Sequence, residues 1–139
     1  MLASFAMLLS AAIIGTLGTL HLFYTFVGPN LHPRDPRLIR RMQQTAIVLT
    51  GDTSVWRAWI GFNASHSFCA MLFALVYGYL AIAQPTLLFG APFLLAVALL
   101  LLGALLWLAW QYWFRIPLIG IALAFLSCVV SVIAGTSGA

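Results

Sequence analysis

The sequence predicts an all-α fold: an integral membrane four-helix bundle with a short amphipathic interfacial helix between spans one and two. Three observations carry this. The 139 residues are 64% hydrophobic and only 6% charged, whereas a soluble domain carries about 25% charged residues. The apolar residues fall into four runs, each near the roughly 20 residues needed to cross a bilayer. All the charges but Arg57, near the start of the second run, fall between those runs. So few charges could not cover the apolar surface of a soluble fold of this length, and disorder needs low hydrophobicity. Lipid is the solvent that fits.

The first span covers 2–27 and stops at Gly28-Pro29. The second covers 55–83, ending at Gln84-Pro85, and the third and fourth cover 92–114 and 117–134. Pro92 and Pro117 suit the first turn of a helix, where a missing N–H costs nothing. The N-terminus lacks a basic n-region and a small-x-small cleavage site, so it reads as a retained helix and not a signal peptide.

Only the first connection is long. Asn30 to Arg34 reads as a turn, and Asp35-Pro36 as an N-cap followed by proline at the first helical position. Leu38, Ile39, Met42, Ala46 and Leu49 then recur at helical spacing, and Arg37, Arg40, Arg41, Gln43 and Gln44 supply polar character. This predicts an amphipathic helix over 36–50 lying at the membrane surface. Gly51 can end it, and Asp52, Thr53 or Ser54 can cap span two.

The six basic residues are all arginine, giving a net charge of +4 with two aspartates. Arg34, Arg37, Arg40, Arg41 and Arg57 lie between or beside spans one and two, and Arg115 between spans three and four. These places share a side, and the connection 84–91 on the other side is uncharged. The positive-inside rule then puts the arginines in the cytoplasm and both termini outside it. Trp56 and Trp59, and the group Trp107, Trp110, Tyr112 and Trp113, mark the same side. The cluster is local, unlike the broad basic face of a nucleic-acid binder, so no nucleic-acid partner is expected. Arg37, Arg40, Arg41 and Arg57 are expected to contact headgroups of membrane lipids or a partner loop.

Small residues mark helix interfaces in lipid. Ala11, Gly15 and Thr19 stripe span one, Ala70, Ala74 and Gly78 span two, and Ser127, Ser131 and Gly135 span four. Span three is leucine-rich, so spans one, two and four are expected to pack tightly, with span three more open to lipid.

The candidate site is polar: His21, Tyr24, Asn63, Ser65, His66 and Ser67. Asn63, His66 and Ser67 share one face of span two, and counting residues from the span ends puts His21 at the depth of Asn63. Ionisable groups inside a membrane default to a functional hypothesis. The bland reading is a hydrogen-bonded packing device, with each interhelical pair worth about 0.6 kcal/mol. Two histidines are a thin ligand set for haem, and four zinc ligands are not clustered, so no metal site is expected and no cofactor is assigned. Ser65-His66-Ser67 lacks the G-x-S-x-G elbow and a carboxylate to orient the base. Cys69 and Cys128 fall inside apolar runs and form no C-x-x-C or disulfide framework.

The segment Pro33-Arg34-Asp35-Pro36 through Met42-Gln43-Gln44-Thr45, Thr50, and Trp56-Arg57-Ala58-Trp59-Ile60-Gly61-Phe62-Asn63-Ala64-Ser65-His66-Ser67 resembles a family of small four-span bacterial membrane proteins of unassigned function. Its other mark is a span-one His followed by Tyr-Thr-Phe, here His21 and Tyr24-Thr25-Phe26. The likeness is specific from His21 to Ser67. Phe68-Cys69-Ala70 depart from a glycine expected there, which bears on close packing. The resemblance implies a bacterial inner-membrane protein and brings no activity. Three functions stay open, in this order: a non-enzymatic accessory or self-associating subunit, as a homo-oligomer or within a larger membrane complex; a lipid- or quinone-binding protein or small membrane enzyme using the polar site; and a small transporter working as a dimer.

Overall fold

The computed structural model describes residues 1–137. In chain order these form α1 (Leu2–Phe26), α2 (Pro36–Gln44), a two-stranded hairpin of β1 (Ala46–Ile47) and β2 (Thr50–Ser54), α3 (Val55–Ala83), α4 (Pro85–Gly90), α5 (Pro92–Tyr112) and α6 (Arg115–Thr136). The protein is all-α apart from the hairpin. Helices α1, α3, α5 and α6 are long and apolar enough to cross a membrane, and the chain is a multi-pass membrane protein. Large apolar side chains such as Phe5, Leu72, Leu100 and Leu126 lie on the outside, which water would not tolerate in such number.

The chain divides into two compact units, residues 1–17 with 70–139 and residues 18–69. The first has a core of Met7, Ile14, Phe73, Tyr77, Leu95, Leu102, Ile121 and Cys128, with alanines 70, 81, 98, 109 and 124 between them. Small residues let the helices approach closely. A methyl group placed on Gly15 would lie 2.9 Å from Cβ of Ala74, and one on Gly78 would lie 3.8 Å from Cβ of Ala11. Polar groups tie the same helices: Ser131 donates to the Ala3 carbonyl at 2.7 Å and the Tyr77 hydroxyl to the Leu94 carbonyl at 2.8 Å. Span three is more open than spans one and two, as expected: an 18-residue stretch of α5 is 22% buried, against 33% for α1 and 28% for α3. Span four departs from expectation, because α6 matches α5 at 22%, and Leu95, Ala98, Leu102 and Ala109 still give α5 a buried face. Alanine, not glycine or serine, supplies the close contact along α5.

The second unit holds the other departures. The helix expected over 36–50 stops at Gln44, with Thr45 already extended at φ −97° and ψ 123°. Residues Ala46 to Ser54 form the antiparallel hairpin. Thr45, Ile47, Val48 and Thr50 are β-branched, stiff at χ1 and suited to extended backbone, and that preference prevails over the apolar spacing. Asp35 caps α2 as expected, accepting from the Arg37 amide at 2.8 Å. Ser54 caps α3, accepting from the Arg57 amide at 3.3 Å.

Two smaller differences concern proline. The connection 84–91 contains the short helix α4, which begins at Pro85. Helix α6 begins at Arg115 and not at Pro117, so Pro117 occupies the third helical position. Its N–H would have been one of the four unpaired donors of the first turn, and the proline is tolerated there.

Candidate functional site

The polar site lies wholly in the unit 18–69, on the last turns of α1 and the first half of α3. Its centre is a contact between side chains 42 residues apart: His21 Nε2 is 2.9 Å from Asn63 Oδ1. The other end of the amide is also engaged, with Asn63 Nδ2 donating to the Trp59 carbonyl at 2.8 Å. That second bond fixes the amide's orientation. Turned over, its oxygen would face the Trp59 carbonyl, acceptor against acceptor. An amide oxygen only accepts, so His21 Nε2 carries the proton.

Two hydroxyls extend the network along the helices. Thr25, one turn beyond His21, donates to the His21 carbonyl at 2.8 Å. Ser67, one turn beyond Asn63, donates to the Asn63 carbonyl at 3.0 Å. Asn63, Thr25 and Ser67 are buried, so each pairs a polar group that would be costly to leave alone in an apolar setting. The His66 ring meets the His21 ring edge-on, with centroids 5.5 Å apart. Both imidazoles are half-buried.

Of the six residues expected here, His21, Asn63, His66 and Ser67 come together. Tyr24 and Ser65 do not. Tyr24 is exposed and its ring lies against Phe23. Ser65 is exposed and donates to the Phe62 carbonyl at 2.9 Å within its own helix. Two residues from Asn63 is about 200° around a helix, which turns Ser65 to the opposite face. The Ser67 hydroxyl serves the backbone. Among the described residues, no three His, Cys, Asp or Glu side chains gather as a metal site.

The connection between the spans is held to the start of α3 by two tryptophans. Trp59 Nε1 donates to the Leu31 carbonyl at 3.2 Å, and the His32 ring sits edge-on to Trp56 at 5.0 Å. Thr25, Trp59 and His32 were not among the site residues expected from the sequence. Thr25 stands at i+4 from His21, the spacing at which a threonine hydroxyl reaches back to a carbonyl. For Trp59 no local signal exists, because its partners are set by the folded connection. Arg37, Arg40, Arg41 and Arg57 are all exposed, free of the polar cluster and open to solvent or headgroups.

Chemically, the site joins two helices through a histidine–amide bond and satisfies its hydroxyls on backbone carbonyls. The chain matches no protein-family model, no curated protein and no solved structure.

Proposed function

We propose that this chain is a non-enzymatic accessory or self-associating subunit of a membrane assembly, and that its polar cluster is a packing device joining spans one and two. The observation that supports this is the engagement of both ends of the Asn63 amide, one by His21 and one by the Trp59 carbonyl. A group held at both ends is suited to fixing helix position. The stripe Gly15–Ala74 is used inside the chain, so a partner would lie elsewhere. Leu72, Leu75, Tyr79 and Ile82 offer a face: they are exposed on α3 at steps of three, four and three residues, the spacing of a helix-pairing seam.

The proposal includes residence in a bacterial inner membrane, with the arginine-bearing side cytoplasmic and both termini outside. Its support is the sequence pattern: Arg34, Arg37, Arg40, Arg41 and Arg57 lie between or beside spans one and two, Arg115 between spans three and four, and none in the connection 84–91, as the positive-inside rule requires, together with the resemblance from His21 to Ser67. The second reading is a lipid- or quinone-binding protein or small membrane enzyme. It rests on the edge-on pair of His21 and His66, two half-buried imidazoles that a ligand could meet.

Native mass spectrometry of protein extracted with its own lipids separates the two. A complex with itself or another protein, carrying no small molecule, supports the subunit reading. A monomer carrying one lipid, quinone or haem mass reproducibly replaces it with the ligand reading.

A further inference from the structure

The hairpin between α2 and α3 carries its apolar residues in an unusual place. Val48 and Leu49 form the two-residue turn between β1 and β2, where asparagine, aspartate and glycine are the usual residues. Both are almost fully exposed, at 109% and 90%. A two-stranded hairpin in water is marginal at best, and an apolar tip makes it worse. This hairpin is nevertheless tied into its surroundings. The Val55 amide donates to the Thr45 carbonyl at 2.9 Å, closing its base, and Thr50 and Asp52 bond to each other.

Two neighbouring features indicate what covers the tip. The first is α2, nine residues with none buried. At 100° per residue, Arg37, Arg40 and Arg41 occupy one side, and Leu38, Ile39 and Met42 the other, with Leu38 46% exposed. The second is distance. Leu49 is six residues before Val55, the first residue of a membrane-crossing helix, so the tip lies within about 20 Å of it even if fully extended. Apolar residues beside a spanning helix and an arginine row have a lipid surface at hand, and basic residues near an anionic surface each contribute about 1 kcal/mol.

We propose that α2 and the hairpin form one membrane-surface element. The Val48–Leu49 tip and the Leu38 face enter the interface of anionic phospholipid, and Arg37, Arg40 and Arg41 meet the phosphates. The element acts as a foot that fixes the depth of the segment leading into α3. It depends on membrane residence alone, and it stands or falls independently of whether the chain is an accessory subunit.

The test uses the full chain in lipid nanodiscs of mixed phosphatidylcholine and phosphatidylglycerol. Leu49→Cys, and Gln44→Cys among the arginines of α2, are each labelled with bimane in a Cys69→Ala, Cys128→Ala background. Lipid-borne nitroxide is expected to quench the label at 49 several-fold more than at 44, with aqueous iodide giving the reverse order. Iodide quenching at 49 as strong as at 44 overturns the proposal by placing the tip in water. Protection of 49 from both quenchers also overturns it, by placing the tip under protein. If the cysteine-free background does not fold, hydrogen exchange on the wild-type chain reads the same point. Slower exchange of amides 47–50 in anionic than in neutral discs supports the foot, and equal exchange overturns it.

Discussion

His21 Nε2 stands 2.9 Å from Asn63 Oδ1, and the amide is held in that orientation from its far side by the Trp59 carbonyl. The bond joins two helices long and apolar enough to cross a membrane, and Asn63 is buried, so removing one partner leaves a polar group unpaired. Asn63→Ala and His21→Ala are each expected to destabilise the fold by about 1 kcal/mol, within the range measured for interhelical bonds in lipid. Reversible unfolding in mixed micelles checks this, and two variants as stable as wild type would dissolve the pair. Nitrogen NMR of labelled histidine should also show His21 protonated at Nε2.

Close approach at Gly15 gives a second prediction. A methyl group there would fall 2.9 Å from Cβ of Ala74, nearer than such atoms normally come. Gly15→Ala is expected to cost about 1–3 kcal/mol, the usual penalty for overpacking. Ala74→Gly in the same chain should recover most of it. Failure of the second change to rescue the first would mean that the two residues do not share the contact.

Ser10 points the other way. Its hydroxyl is buried and, among the described residues, is the one buried side-chain polar atom without a hydrogen-bond partner. Leaving such a group unpaired costs about 1–3 kcal/mol. Ser10→Ala should therefore leave stability unchanged or raise it, unlike Ser131→Ala, which loses the bond to Ala3. A loss of stability in Ser10→Ala would show that the hydroxyl has a partner in the membrane.

The cysteines should differ in reactivity. Cys69 is exposed and Cys128 fully buried. A membrane-permeant maleimide is expected to modify the folded protein once and the unfolded protein twice, as read by intact mass. Modification of Cys128 in the folded chain would contradict the packing of α6.

Much of this was legible in the sequence. The four spans follow from run length alone, since about 20 apolar residues have few other uses. The meeting of His21 and Asn63 follows from counting residues from the span ends. Ser65 could have been set aside by helix geometry, because it lies about 200° from Asn63. The hairpin was harder. Ala46 and Leu49 continue the helical spacing of Leu38 and Met42, while Thr45, Ile47, Val48 and Thr50 prefer extended backbone. No Asn-Gly turn marks the reversal, so the periodicity and the local preferences point in opposite directions. The bond from Trp59 to Leu31 spans 28 residues and depends on how the connection folds back.

The most direct test of the packing-device claim removes both polar partners together. A double variant, His21→Phe with Asn63→Leu, replaces the pair with apolar groups of similar shape, a change that is often nearly neutral when both partners are replaced. This variant is expected to keep the wild-type stability to within about 1 kcal/mol and the wild-type assembly mass on gentle extraction. A variant that folds normally but loses a bound small molecule, or loses its cellular effect while its assembly persists, would instead make His21 and Asn63 part of a ligand site.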